Sequence, residues 1–137
     1  MGNPEEMKLL LDTHILLWSL LDPMQLTRDV AADLESLSNE LWLSPINTWE
    51  VIILVERGRV ALETDPITWL RSVYTRIPFK EAPITHEVAI QSRTIDLPHQ
   101  DPADRFLVAT AAVYGLTLVT ADERLLLSKV VPVLSNK

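Results

Sequence analysis

Four carboxylates stand where apolar segments would otherwise run on. Asp12 follows Lys8-Leu-Leu-Leu11, Glu50 lies inside Trp49-Glu-Val-Ile-Ile-Leu-Val55, Asp104 leads into Arg105-Phe-Leu-Val-Ala-Thr-Ala111, and Asp122 follows Thr117-Leu-Val-Thr-Ala121. An ionised carboxylate taken out of water needs a cationic partner or a metal. No Lys or Arg recurs beside all four positions, so a shared divalent cation is the leading explanation. Two like charges about 4 Å apart repel by roughly 4 kcal/mol at an effective dielectric of 20. Four clustered carboxylates would therefore protonate or recruit a cation, and all-oxygen ligation favours Mg²⁺ or Mn²⁺ over zinc.

Each acid also has a plainer reading. Asp12 could end a strand in a turn, and Asp122 could cap the last helix. Asp101 and Asp104 form a capping-box-like Asp-x-x-Asp in which Asp101 reads as the N-cap. Asp104 resists that explanation, because helical spacing puts it on the stripe of Leu107, Val108 and Ala111, the face that should meet a sheet. Glu50 is the strongest case: it shares a face with Ile46, Ile53 and Leu54 and is the only ionisable residue between Leu41 and Val55.

The elements that must position these acids alternate between short strands and helices. Lys8 to Leu11 reads as a buried strand, His14 to Leu21 as a helix stopped by Asp22-Pro23, and Leu26 to Leu37 as an amphipathic helix with Leu26, Val30, Leu34 and Leu37 on one face. Leu41 to Leu43 is a second strand. Ser44-Pro45 then opens a helix that runs to Gly58. Asp65-Pro66 opens another through about Arg76, with Ile67, Leu70 and Tyr74 on one side. A strand-like Phe79 to Ile84 precedes a helix from Thr85 whose Val88, Ala89 and Ile95 can face inward. Asp101-Pro102 caps the helix ending at Gly115; Leu116 to Thr120, a short Asp122 to Leu127 helix and Val130 to Leu134 follow. This alternation is the pattern of an α/β fold with a mostly parallel sheet, in which ligands gather beyond the carboxyl ends of the strands. All four acids would converge on that edge.

Composition narrows the chemistry. The 137 residues are 47% hydrophobic, enough for one core without staples. Cysteine is absent, which excludes disulfides, thiolate zinc sites and cysteine nucleophiles and suits a reducing cytoplasm. His14, His86 and His99 lack ligand spacing and read as surface or satisfied histidines. No apolar stretch is long enough to span a membrane, and the acidic start is unlike a signal peptide, so a soluble, unexported protein is expected. Residues 1–6 read as a short disordered leader or an expression remnant. A net charge of −7 argues against a broad basic nucleic-acid platform, leaving phosphate contact to a metal and a few arginines, of which Arg93, Arg105 and Arg124 lie near the acids in sequence. Trp18, Trp42, Trp49 and Trp69 read as core rather than as a base-stacking platform.

Taken together, Leu9-Leu-Leu-Asp-Thr-His14, Ser44-Pro-Ile-Asn-Thr-Trp-Glu50, His99-Gln-Asp-Pro-Ala-Asp-Arg-Phe-Leu-Val-Ala-Thr-Ala111 and Leu118-Val-Thr-Ala-Asp122 resemble the PIN-domain ribonucleases, and more narrowly the VapC-type toxins of toxin-antitoxin pairs. The resemblance implies a PIN-like three-layer domain over residues 7–137, with a central sheet of four to five short strands flanked by helices. It maps the catalytic and metal-holding acids to Asp12, Glu50, Asp104 and Asp122, with the Thr120 hydroxyl in support; either Asp101 or Asp104 can claim the metal, and helical register favours Asp104. Asn47 departs from the Ser or Thr that the family more often places there. The resemblance further implies Mg²⁺- or Mn²⁺-assisted hydrolysis of RNA phosphodiester bonds, a homodimer, and a small antitoxin whose tail covers the site through an Arg or Lys.

Readings from other classes fit less well. A haloacid-dehalogenase-like phosphatase needs a second Asp two residues after the first, where His14 stands. A response-regulator-like module expects adjacent acids near strand one and a late lysine, neither of which is evident. The remaining alternative is a PIN fold kept as a binding or scaffold module, against which four retained, mutually repelling carboxylates argue.

Overall fold

The computed structural model of the protein describes residues 6–137. The leader expected over residues 1–6 thus lies, but for Glu6, outside the described residues. Five strands, β1 (Lys8–Leu11), β2 (Glu40–Leu43), β3 (Lys80–Glu81), β4 (Thr117–Thr120) and β5 (Val133–Ser135), form one sheet in the order β3-β2-β1-β4-β5. Every pairing is parallel. The sheet is thus wholly rather than mostly parallel.

Parallel strands need crossovers, and helices supply them. Helices α1 (Thr13–Leu21) and α2 (Arg28–Glu35) join β1 to β2, and α3 (Pro45–Glu56) and α4 (Pro66–Arg76) join β2 to β3. Helices α5 (His86–Thr94) and α6 (Pro102–Tyr114) lead to β4, and the short α7 (Glu123–Leu126) leads to β5. The side-chain alternation of β1 divides the core between two layers. Leu9 and Leu11 pack with Ile15, Leu16, Val30, Val51 and Leu70 on one face, whereas Leu10 packs with Leu107, Val108, Ala111 and Leu125 on the other. Leu9, Leu10 and Leu11 are all within 1% of complete burial, so the central strand has to be a continuous apolar run.

Several expected boundaries shift for local reasons. The α2 helix stops at Glu35, short of Leu37, which is fully exposed in the turn that follows. There Ser36 and Ser38 bond one another and Asn39 Nδ2 donates to the Asp33 carbonyl, turning the chain toward β2. On α4 the inward face is Leu70 and Val73, while Ile67 and Tyr74 are exposed. On α5 it is Val88 and Ser92, with Ala89 outward. β3 is two residues long because Pro83 has no N–H with which to extend the ladder beyond Ala82.

Candidate active site

The chain turns from β1 toward β2 on one side and from β4 toward β5 on the other, so the strand order reverses between β1 and β4. In a parallel sheet such a reversal opens a crevice at the carboxyl edge. Asp12 is the first residue past β1. It does not use its side chain to cap α1; instead its Oδ2 accepts the Thr120 hydroxyl at 2.7 Å across the reversal, and its backbone N–H donates to Val119 at 3.0 Å. Thr120 Oγ1 in turn accepts the Asp122 N–H at 3.1 Å. With that lone pair used, the one hydroxyl proton is directed at Asp12.

Glu50 is held by the same device on the other side of β1. The Thr13 hydroxyl donates to Glu50 Oε1 at 2.5 Å. Behind it, the buried Asn47 amide donates to Thr13 Oγ1 at 3.1 Å and to the Leu11 carbonyl at 3.0 Å, while Asn47 Oδ1 accepts the Ser44 N–H at 2.8 Å. Ser44 caps α3 and Asn47 closes its capping box, so the cap that starts the helix also fixes the support of its acid. Where Ser or Thr was the expected residue at 47, the amide provides the hydrogen bond.

Asp104 occupies the first turn of α6, which Asp101 caps by accepting the Ala103 and Asp104 N–H groups. The stripe of Leu107, Val108 and Ala111 is buried as its spacing required, and Asp104 is itself 8% exposed. Its Oδ2 meets His99 Nε2 at 3.0 Å and Arg124 Nη2 at 3.3 Å. Asp122 caps α7 and accepts from the Arg124 backbone at 2.9 Å and from the Arg124 guanidinium at 3.0 and 3.3 Å. Asp12, Glu50, Asp101, Asp104 and Asp122 together line a cleft of about 400 Å³ with His14, Trp18 and Arg124. All four expected acids are thereby brought into one site, and Asp101 does double duty as cap and wall.

The electrostatics divide the acids. Burial pushes the Glu50 carboxyl up to about 7, against the Thr13 hydrogen bond and reinforced by repulsion from Asp12 and Asp104. Burial, with Asp101 repulsion next, pushes Asp104 to about 6. Burial also raises Asp12, which Thr120 only partly offsets. Asp122 goes the other way, lowered chiefly by its hydrogen bonds from Arg124. Three acids are thus raised, Asp104 in spite of its contacts with His99 and Arg124, and one is lowered. Among the described residues no three Asp, Glu or His side chains are already gathered into a cage for an ion. The donor set fits a hard divalent cation in its chemistry, three carboxylates of raised pKa facing one cleft, with the enclosure still to be drawn in around it.

Other expected site residues are placed differently. Arg105 is 4% exposed and cannot reach a phosphate. Its guanidinium donates to the carbonyls of Ser92, Leu97, His99 and Ile95 at 2.6 to 3.1 Å, clipping the segment after α5 onto α6. Arg93 is exposed beside Gln100, so among the described residues Arg124 is the one of the three arginines on the cleft. Trp18, Trp42 and Trp69 pack against the two core clusters, but Trp49 is 54% exposed. His14 and His86 are at the surface, whereas His99 is half-buried with Nδ1 buried and unpartnered. His99 and Thr13 are the functional neighbours that sequence spacing did not single out. The hint for Thr13 is a hydroxyl directly after the strand-ending acid, and for His99 a polar group two residues ahead of the α6 cap.

An all-parallel α/β sheet with an acidic crevice at its strand-order reversal defines the class. The PIN domain family matches residues 9–130, and the chain belongs to it. It is 33% identical over 119 residues to Ribonuclease VapC22 of Mycobacterium tuberculosis, covering 85% of this chain and 88% of that one. In structure it is similar to VapBC2 of Rickettsia felis bound to a promoter DNA fragment, at a TM-score of 0.72 and 14% identity over 94% of this chain and 98% of that one. FitAcB of Neisseria gonorrhoeae follows at a TM-score of 0.69 and 24% identity over 93% and 97%. At these identities the structural likeness speaks for the fold.

Proposed function

We propose that the protein is a divalent-metal-dependent endoribonuclease, the toxin of a toxin-antitoxin pair, in which Asp12, Glu50 and Asp104 hold Mg²⁺ or Mn²⁺ and Asp122 plays an outer part. The observation that carries the reading is the convergence of three carboxylates of raised pKa on the crevice of a PIN fold that is 33% identical to a named ribonuclease. When bound, the cation supplies charge neutralisation at the phosphate and a lowered pKa for the attacking water. The chain's own groups do the rest. Thr120 and Thr13 each keep one oxygen of Asp12 and Glu50 hydrogen-bonded, which fixes the carboxylate planes and leaves the second oxygen of each for the ion. His99 does the same for Asp104. With Asp12, Glu50 and Asp104 held for the cation and no cysteine present, this reading assigns the attack to water.

The acidic surface and the family likeness support a small antitoxin carrying an Arg or Lys into the cleft, a homodimer, and a cytoplasmic setting. Among the described residues no helix is long and apolar enough to cross a membrane. The test is cleavage of an end-labelled RNA by the purified chain with Mn²⁺, with EDTA, and in the Asp12→Asn, Glu50→Gln and Asp104→Asn variants. Cleavage with Mn²⁺ alone, lost in all three folded variants and restrained by a small protein if one is encoded beside this gene, supports the reading. Undiminished cleavage in EDTA would refute the metal. RNA binding without any cleavage would favour the scaffold alternative.

A further inference from the structure

We infer that Arg124 is the cleft's own counter-ion, which the divalent cation must displace and which then engages a phosphate of the substrate. The inference rests on the metal-dependent reading of the same cleft and assigns it a substrate-binding residue. Arg124 Nη2 lies 3.3 Å from Asp104 Oδ2 and 3.0 Å from Asp122 Oδ2, and Nε lies 3.3 Å from Asp122 Oδ1. One guanidinium therefore spans two of the carboxylates that line the cleft. Those two acids come from α6 and from the β4–α7 junction, so the arginine bridges separate elements as a bound cation would.

The two arginines near the site are built for different tasks. Arg105 is buried, with its guanidinium consumed by four backbone carbonyls. The Arg124 side chain is 57% exposed, and its guanidinium has only carboxylates as hydrogen-bond partners among the described residues. Its fork of donors matches phosphate as well as carboxylate, and exchanging one for the other requires no new geometry. A divalent ion drawn in by Asp104 and its neighbours competes directly with the guanidinium and repels it once bound. The released group stays tethered at the cleft mouth, where a phosphodiester would lie. Metal and RNA binding then reinforce each other, since each removes the alternative that holds Arg124 back.

The experiment is a calorimetric Mn²⁺ titration of the metal-free protein at low salt, comparing wild type with Arg124→Ala, Arg124→Gln and Arg124→Lys, alongside KM for RNA at saturating Mn²⁺. Far-UV circular dichroism checks that each variant is folded, and the Gln variant keeps a hydrogen-bonding side chain should Ala unfold. Ala and Gln should bind Mn²⁺ about 2- to 10-fold more tightly, the scale of one or two partly exposed ion pairs, and raise KM several-fold. Lys, which keeps the charge but not the fork, should fall between. Unchanged or weaker Mn²⁺ binding in Ala and Gln would overturn the counter-ion role, and an unchanged KM would overturn the phosphate contact. Wild type that binds no Mn²⁺ would instead refute the metal reading and this inference with it.

Discussion

Replacing Glu50 with Gln should stabilise the metal-free protein while destroying its activity. The Glu50 carboxyl is raised from 4.5 to about 7, first by burial and then by repulsion from Asp12 and Asp104. At about 1.36 kcal/mol per pH unit, that difference sets a ceiling near 3.4 kcal/mol. Glu50 is only partly buried and solvent screens it, so roughly 1 to 2 kcal/mol is the expected share. The sign follows from proton binding. Between pH 4.5 and 7 the folded state holds the Glu50 proton more tightly than the unfolded chain, so stability falls as pH rises through that window and stays lower above it. Asp104, raised to about 6, adds to the loss over the lower part of the window. Glutamine cannot ionise, and its amide oxygen still accepts the Thr13 hydroxyl. In thermal melts followed by circular dichroism in EDTA, Glu50→Gln should therefore melt about 3 to 8 °C higher than wild type at pH 8, with a much smaller difference at pH 5. A variant no more stable than wild type at pH 8, or one with the full pH dependence retained, would refute the repulsion argument.

Arg105→Met should lower stability by about 2 to 4 kcal/mol in urea unfolding, because four carbonyls around the segment after α5 lose their donor; an unchanged midpoint would refute its role as a clip. Thr13→Val should weaken Mn²⁺ affinity or turnover about 10- to 100-fold by freeing Glu50, and Thr13→Ser should restore most of it; equal behaviour of Val and Ser would contradict hydroxyl orientation. Asp122→Asn should cost less activity than Asp12→Asn in side-by-side initial rates, since the Asp122 carboxylate is already engaged by Arg124 and the α7 N-terminus.

Much of the fold was legible because its signals are local. Ser44-Pro45, Asp65-Pro66 and Asp101-Pro102 start helices where they stand, and Gly58 and Gly115 adopt the positive φ that ends the first and the last of these. The acids were legible for a related reason: a charge on an apolar stripe announces itself by spacing alone, and Asp104 and Glu50 both sit on one. What spacing does not carry is which partner a polar group finds across the fold. Arg105 reads as a phosphate-contact candidate because nothing local distinguishes it from Arg124; the turn of chain after α5, delivered by tertiary packing, buries it. Thr13 escapes spacing for the same reason, since its role is defined by Glu50, 37 residues away, whereas His99 meets Asp104 only because the loop before α6 folds its ring back onto that helix. Trp49 read as core by its apolar neighbours, yet α3 presents it outward because Glu50 and Val51 take the inward positions. β3 was overextended by strand propensity that Pro83 overrides.

In the proposed reaction, carboxylates and a divalent cation would direct water at the phosphorus. His14 lines the cleft and His99 touches Asp104, so a histidine-driven attack by the ribose 2′-hydroxyl is the chemistry to exclude. The most direct measurement is the chemistry of the cut ends, on RNA and on the same strand carrying one 2′-deoxy sugar at the scissile position. Water attack in line predicts 5′-phosphate and 3′-hydroxyl ends, dependence on Mg²⁺ or Mn²⁺, and continued, slower cleavage of the 2′-deoxy substrate. Ends bearing a 2′,3′-cyclic phosphate, with the 2′-deoxy substrate fully resistant, would contradict the account.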